Sequence, residues 1–200
     1  MLYFDVLIFV GIITFAFIVL LLIWVAIRSK TFEHPRIKAG KRGEKAATDI
    51  IKQVLQEGDE LLTNVCINYR ERMAELDNVI INRSGIFIVE VKNYSGMLTG
   101  EEDDYEWTKY KRSRGGNTYV QQVRNPIKQV KRQVYLLSKV LKCNGIGVWV
   151  DGYVLLLNNN SPVHSDMVLE SFWEIDQAIH RQSRKPLSRK TIIAVKEVLR

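Results

Sequence analysis

LDNVIINRSGIFIVEVKN, Leu76 to Asn93, is the stretch from which the fold is read. Two apolar runs flank NRSG, and Asn and Gly are turn formers. The segment therefore reads as a β-hairpin turning at Asn82–Gly85. With the turn centred on Arg83 and Ser84, the numbers of opposed residues sum to 167. Val79 then faces Ile88, Ile81 faces Ile86, and Asp77 faces Glu90. Leu76, Ile80, Phe87, Val89 and Val91 fall on the other face. Both faces are mostly apolar, as in a sheet covered on both sides.

Asp77 and Glu90 would thus stand about 5 Å apart. Lys92 follows on the same face, about 6–7 Å along the strand. Directly opposed like charges destabilise a hairpin. Either one acid keeps its proton, or a cation lies between them. The cation could be Lys92 alone, in an ion-pair cluster, or a metal. A hard divalent ion takes oxygen ligands, and two carboxylates with the Val91 carbonyl suit Mg²⁺, or Mn²⁺ as the alternative. Such an ion activates water and stabilises the charge of a phosphodiester transition state. Lys92 would orient or deprotonate the water, or neutralise the phosphate.

Outward from the hairpin, GKRGEKAATDIIKQVLQEGD (40–59) has helical periodicity, with Ala47, Ile51, Val54 and Leu55 as its stripe and Gly58 as its stop. Glu44 lies near the centre of that stripe, which points it at the sheet. LLTNVCINYR reads as a strand, YEWTKYKRS as another, and RGGN as a loop. Asn125 and Pro126 read as an N-cap and first helical residue of a helix reaching about Lys142. Its stripe is Ile127, Val130, Val134, Leu137 and Leu141, with Gln129 at the flank. IGVWVDGYVLLLN supplies buried strand, and two helices close the chain, the second capped by Ser188. This order of elements indicates an α/β domain with a central mixed sheet flanked by helices.

Val6 to Ile27 contains 22 residues and no charge. A helix of that length crosses a hydrocarbon core of about 30 Å. It lacks the basic leader and short apolar core of a cleaved signal, so an uncleaved transmembrane helix is expected. Asp5 is the one charge before it, whereas Arg28, Lys30, Arg36, Lys38, Lys41 and Arg42 follow. The positive-inside tendency places the following domain in the cytoplasm and the N-terminus outside. The domain organisation expected is an anchor at 1–27, a polar tether at 28–39, an α/β domain at 40–160 and a helical extension at 161–200.

The net charge is +7, or +8 without the anchor, which favours anionic partners. Cys66 and Cys143 form no CxxC or Cys/His cluster, which argues against zinc and disulfide scaffolds; both are expected as buried thiols. His34, His164 and His180 share no metal-ligand spacing. WTKYKRSRGGNTYVQQVR interleaves Lys109, Lys111, Arg112, Arg114 and Arg124 with Trp107, Tyr110 and Tyr119. Cations for phosphates and aromatics for base stacking are what a nucleic-acid groove needs. Lys128 extends the set.

GKRGE (40–44), ELDNVIINRSGIFIVEVKNYSG (75–96) and NPIKQ (125–129) together resemble the nuclease-related domain (NERD) family, over about residues 39–158. The resemblance implies the restriction-endonuclease-like fold of PD-(D/E)xK nucleases, and an added transmembrane helix is a familiar arrangement in this largely bacterial family. It assigns Glu44 as the acid of the first helix, Asp77 as the metal-binding aspartate, Glu90 and Lys92 as the ExK pair, and Gln129 as the glutamine after Asn-Pro. Asn78 stands where a histidine is usual. The expectation is a membrane-tethered, Mg²⁺-dependent nuclease with DNA favoured. Its rivals are a non-catalytic nucleic-acid or protein adaptor at the membrane, and a module binding anionic lipid.

Overall fold

The computed structural model describes residues 14–24, 35–113, 115–183 and 185–200. The chain divides into two compact units, residues 1–39 and 40–200. In the first, residues 14–24 form a helix (α1) with its large apolar side chains exposed. The rest of the expected span 6–27 lies outside the described residues. Among the described residues no helix is long and apolar enough to cross a membrane.

Helix α2 (Pro35–Val54) begins before residue 40, and its greater part lies in the second unit, followed there by β1 (Glu60–Tyr69), β2 (Arg72–Ile81) and β3 (Ile86–Lys92). Then come β4 (Met97–Thr99), β5 (Glu106–Arg112), β6 (Thr118–Arg124), α3 (Pro126–Cys143) and β7 (Val150–Leu156). β8 (Val168–Leu169), α4 (Phe172–His180) and α5 (Arg189–Val198) complete it. The central sheet is mixed, in the order β1-β2-β3-β7-β8, and β4-β5-β6 form a separate antiparallel sheet. Helix α2 begins at Pro35, five residues before the expected start, because proline is well tolerated in a first helical turn. Gly58, at φ +92°, lies in the turn beyond the helix end.

β2 and β3 pair in the expected register, from Ile81–Ile86 to Asn78–Val89. Asn82 closes the turn by accepting from the Ser84 and Gly85 amides through Oδ1. Its Nδ2 donates to the Ile179 carbonyl at 3.0 Å, which ties the turn to α4. Helices cover both faces. Val79, Ile81, Ile86 and Ile88 pack with Leu136, Leu137 and Leu141 of α3 and Ile192 and Val195 of α5. Ile80, Phe87, Val89 and Val91 pack with Ala47, Ile51 and Val54 of α2 and Ile175 and Ile179 of α4.

Leu76 corrects the sequence expectation: it packs with Val79 and Ile81, not on the opposite face. Alternation breaks in both strands at one place. Thr63–Asn78 and Val65–Leu76 pair, but Asn64 and Asp77 between them do not, and Asn64 has φ +53°. Left-handed backbone at Asn64 flips the pleat, so Leu62 and Val65 share a face. Asp77 sits at this break, out of the regular pleat.

Residues 161–200 contribute β8 to the central sheet and α4 and α5 to its two cores. Both cysteines are exposed rather than buried: Cys66 lies between inward Val65 and Ile67 on β1, and Cys143 is the last residue of α3. The second sheet was legible only as β5; β6 is exposed at six of seven positions and gives no alternation to read.

Candidate active site

The β2–β3 ladder stops at Asn78–Val89. Beyond it the strands separate, and the charged residues stand in the gap. In place of the next ladder bond, Asp77 Oδ2 accepts from the Val91 amide at 2.8 Å. The Lys92 carbonyl accepts from Leu157 on the β7 side at 3.1 Å. Successive strand residues direct their backbone groups to opposite neighbours, so the Val91 carbonyl points back towards β2 and Asp77.

Glu90 is 2% exposed, and both of its carboxylate oxygens accept hydrogen bonds. Its Oε1 accepts from Lys92 Nζ and from Gln129 Nε2, both at 2.5 Å. Its Oε2 accepts from Gln133 Nε2 at 2.6 Å. Lys92 lies two residues along the same face of β3, and both glutamines project from the first turns of α3, one turn apart.

The start of α3 is anchored firmly. Asn125 caps it by accepting from the Ile127 amide at 2.9 Å. The Asn125 amide nitrogen also donates to the carbonyls of Glu102 at 2.8 Å and Asp104 at 2.9 Å, which joins the helix to the loop before β5. On the other side, α2 comes close to the end of β3. A Cβ on Gly43 would lie 2.8 Å from the Asn93 Cβ, so glycine there permits the approach that brings in Glu44. Asn78 is fully buried and faces α2, accepting from Thr48 Oγ1 at 2.8 Å. It lies away from Glu90, as the sequence register implied.

The electrostatics reflect this convergence. Burial, and then the Glu90 charge, push the Asp77 carboxyl up to about 7; the Val91 amide and Lys92 pull against this, and Glu44 adds to it. Burial pulls the Lys92 ammonium down, but the charge and hydrogen bond of Glu90 outweigh it, and Lys92 ends above its usual value. Burial also raises the neighbouring Tyr94 phenol. Asp77 therefore feels an excess of negative charge that Lys92 does not cancel.

Among the described residues no three His, Cys, Asp or Glu side chains converge closely enough to hold a metal ion by themselves. The available oxygen set is Asp77, Glu90 and the Val91 carbonyl. Two carboxylates and a carbonyl, with water in the other positions, fit Mg²⁺ or Mn²⁺. The observation in favour is the pair of carboxyls at the open end of the ladder, where a cation would offset the burial and like charge that raise Asp77.

Of the expected nucleic-acid residues, Trp107 is a correction. It is 0% exposed, packs with Leu98, Val123 and Ile127, and donates through Nε1 to the Glu101 carbonyl at 2.9 Å. It holds the small sheet to α3 and cannot stack on a base. The β5–β6 register sorts the others. Lys109 and Lys111 share the Trp107 face, opposite Gln121 and Tyr119. Arg112 lies on the reverse face, as does Arg124. Lys109 Nζ stands 5.6 Å from the Tyr94 ring centre, so this face runs on towards Lys92. Lys128 is half-buried on α3, and Arg114 lies outside the described residues.

Gln133 escaped the sequence reading. Its signal was an amide inside an apolar helical stripe, one turn after Gln129.

The chain is 28% identical over 131 residues to an uncharacterised protein of Bacillus anthracis, covering 63% of this chain and 59% of that protein. The chain thus spans under two thirds of that relative's length. No solved structure matches. The family model of the nuclease-related domain matches residues 39–157, which include the whole Glu44, Asp77, Glu90, Lys92 and Gln129 set. That match covers more than half of the chain, and the chain belongs to the nuclease-related domain family.

Proposed function

We propose that this chain is a metal-dependent nuclease that hydrolyses phosphodiester bonds in nucleic acid, with DNA favoured over RNA. The observation that carries the reading is the gap beyond Asn78–Val89, where Asp77, Glu90 and Lys92 meet Gln129 of α3. Asp77, Glu90 and the Val91 carbonyl would hold a divalent ion, which would supply Lewis acidity at the phosphate. Lys92 keeps an ammonium beside Glu90 and neutralises charge that builds on the phosphate oxygens. Gln129 holds Glu90 in place, and Glu44 adds negative charge on the α2 side. Substrate lies along the inner face of β5–β6, where Lys109 and Lys111 meet phosphates and exposed Tyr119 meets bases.

The reading includes a membrane tether at residues 6–27, with the nuclease domain in the cytoplasm. Its support is the uncharged run, the helix at 14–24 with exposed apolar side chains, and the basic residues that follow.

The test is incubation of the full chain with labelled single- and double-stranded DNA and RNA, in Mg²⁺, Mn²⁺ or EDTA, beside Glu90→Ala. The expected result is cleavage that needs metal and is lost in the variant. Salt-sensitive binding without cleavage, equal in both proteins, would overturn the reading in favour of an adaptor.

A further inference from the structure

Gln133 is 1% exposed, yet it carries an amide into the core. Its Nε2 donates twice: to Glu90 Oε2 at 2.6 Å, and to the Glu75 carbonyl at 3.0 Å. Its Oε1 is buried with no partner. Glu75 lies on β2, two residues before Asp77, and Glu90 lies on β3. The two strands no longer pair at this point. The two bonds from one nitrogen therefore bridge the gap that contains the site.

The amide orientation is forced. Turned over, Oε1 would face the Glu90 carboxylate and the Glu75 carbonyl, two acceptors. The nitrogen must face them, and the oxygen is left orphaned. A buried orphan acceptor is costly and rare in native proteins. Leucine or methionine at this position would fill the apolar stripe of α3 without that cost. A glutamine here points to work done by its nitrogen.

That work follows from the division of labour on Glu90. Lys92 and Gln129 both reach Oε1, whereas Gln133 alone reaches Oε2. Oε1 already takes two donors, whereas Oε2 takes the Gln133 bond alone and keeps a lone pair open. The second bond fixes Glu90 relative to β2, and so relative to Asp77. We propose that Gln133 is a positioning residue that spans the open end of the β2–β3 ladder and sets the separation and orientation of the Asp77 and Glu90 carboxylates for a divalent cation. The proposal rests on the metal-dependent reading above.

The test is Gln133→Met, which keeps the volume and removes both hydrogen bonds. Mn²⁺ binding to the full chain is measured by calorimetry, with thermal melting in EDTA as the control for folding. Removing a group that orients a ligand usually weakens a metal site about 10–100-fold. The expected result is a loss of Mn²⁺ affinity in that range with metal-free melting close to wild type. Equal Mn²⁺ affinity in both proteins would overturn the proposal and leave the metal reading standing. A wild type that binds no Mn²⁺ would overturn both. A second measurement needs no variant. In the metal-free wild type, the Gln133 side-chain amide protons should exchange with solvent far more slowly than those of exposed Gln121. Similar rates would refute the clamp even if Gln133→Met fails to fold.

Discussion

Gly152→Ala is a one-carbon perturbation of β7 that should reach the site through α3. Gly152 pairs with Ile88 in the parallel β3–β7 ladder. A Cβ there would meet Val130 Cγ1, and would lie 2.5 Å from Val134 Cγ2. Ordinary carbon contacts need about 3.5–4.0 Å. Valine side chains have little rotamer freedom in a helix, so the helix itself must retreat by about 1 Å. Val130 and Val134 are each next in sequence to the glutamines that hold Glu90. A 1 Å retreat would stretch the 2.5 Å and 2.6 Å bonds of Gln129 and Gln133 to about 3.5 Å, at or past the limit of a hydrogen bond. Overpacking of this kind costs about 1–3 kcal/mol, which corresponds to about 2–12 °C in Tm for a domain of this size. Misplacement by about 1 Å can cost about 100-fold in rate. Melting and metal-dependent cleavage are compared for wild type, Gly152→Ala, and Gly152→Ala combined with Val134→Ala and Val130→Ala. The triple variant should regain part of both losses. Wild-type melting and activity in Gly152→Ala, or a triple variant worse than the single one by the sum of its parts, would refute the reasoning.

Three further outcomes follow from the same structure. Asp77 is raised from its ordinary value to about 7, so its charged form is disfavoured by folding; the fold loses stability as pH rises from about 4 to about 7 and does not regain it above. Asp77→Asn should therefore melt higher than wild type at pH 8 and equally at pH 4, and Mg²⁺ at pH 8 should raise the melting temperature of wild type only. His180 bridges Asp176 at 2.7 Å and Asp59 at 2.8 Å; burial lowers its pKa, but these two partners raise it more. Its contribution is complete below the unfolded value of about 6.5 and is lost as pH climbs through the raised folded value, so melting of wild type minus His180→Phe should be largest near pH 5.5 and shrink by pH 9. Asn125→Ala removes a helix cap and strands the Glu102 and Asp104 carbonyls, a loss of about 2–3 kcal/mol by denaturant titration.

The sequence made the hairpin register, the Asn125 and Ser188 caps and the nearness of Asp77, Glu90 and Lys92 legible, because each rests on local chemistry; Gln129 joined that set only through the family resemblance. Turn residues set β2 against β3, and a polar N-cap followed by proline starts α3 at the right residue. What escaped depends on contacts distant in sequence. Leu76 changes face because Asn64, on another strand, adopts a positive φ that nothing local demands. Trp107 looked like an exposed aromatic among cations, but β4 and β6 build a sheet whose inner face buries it against α3. Gln133 read as a polar interruption of an apolar stripe; its partners lie on β2 and β3, dozens of residues away. The interruption was itself the clue, since a buried amide needs partners.

The most direct measurement is cleavage by Lys92→Ala, which removes the one cation paired with Glu90 among the described residues. Single-turnover cleavage of the preferred nucleic acid is followed in saturating Mg²⁺, together with equilibrium binding of the same substrate in Ca²⁺ or EDTA. The account predicts that binding persists and that cleavage falls by about 100-fold or more, as when a donor aimed at developing charge is removed. Cleavage by Lys92→Ala at the wild-type rate would contradict it, because the chemistry would then lie outside the gap between β2 and β3.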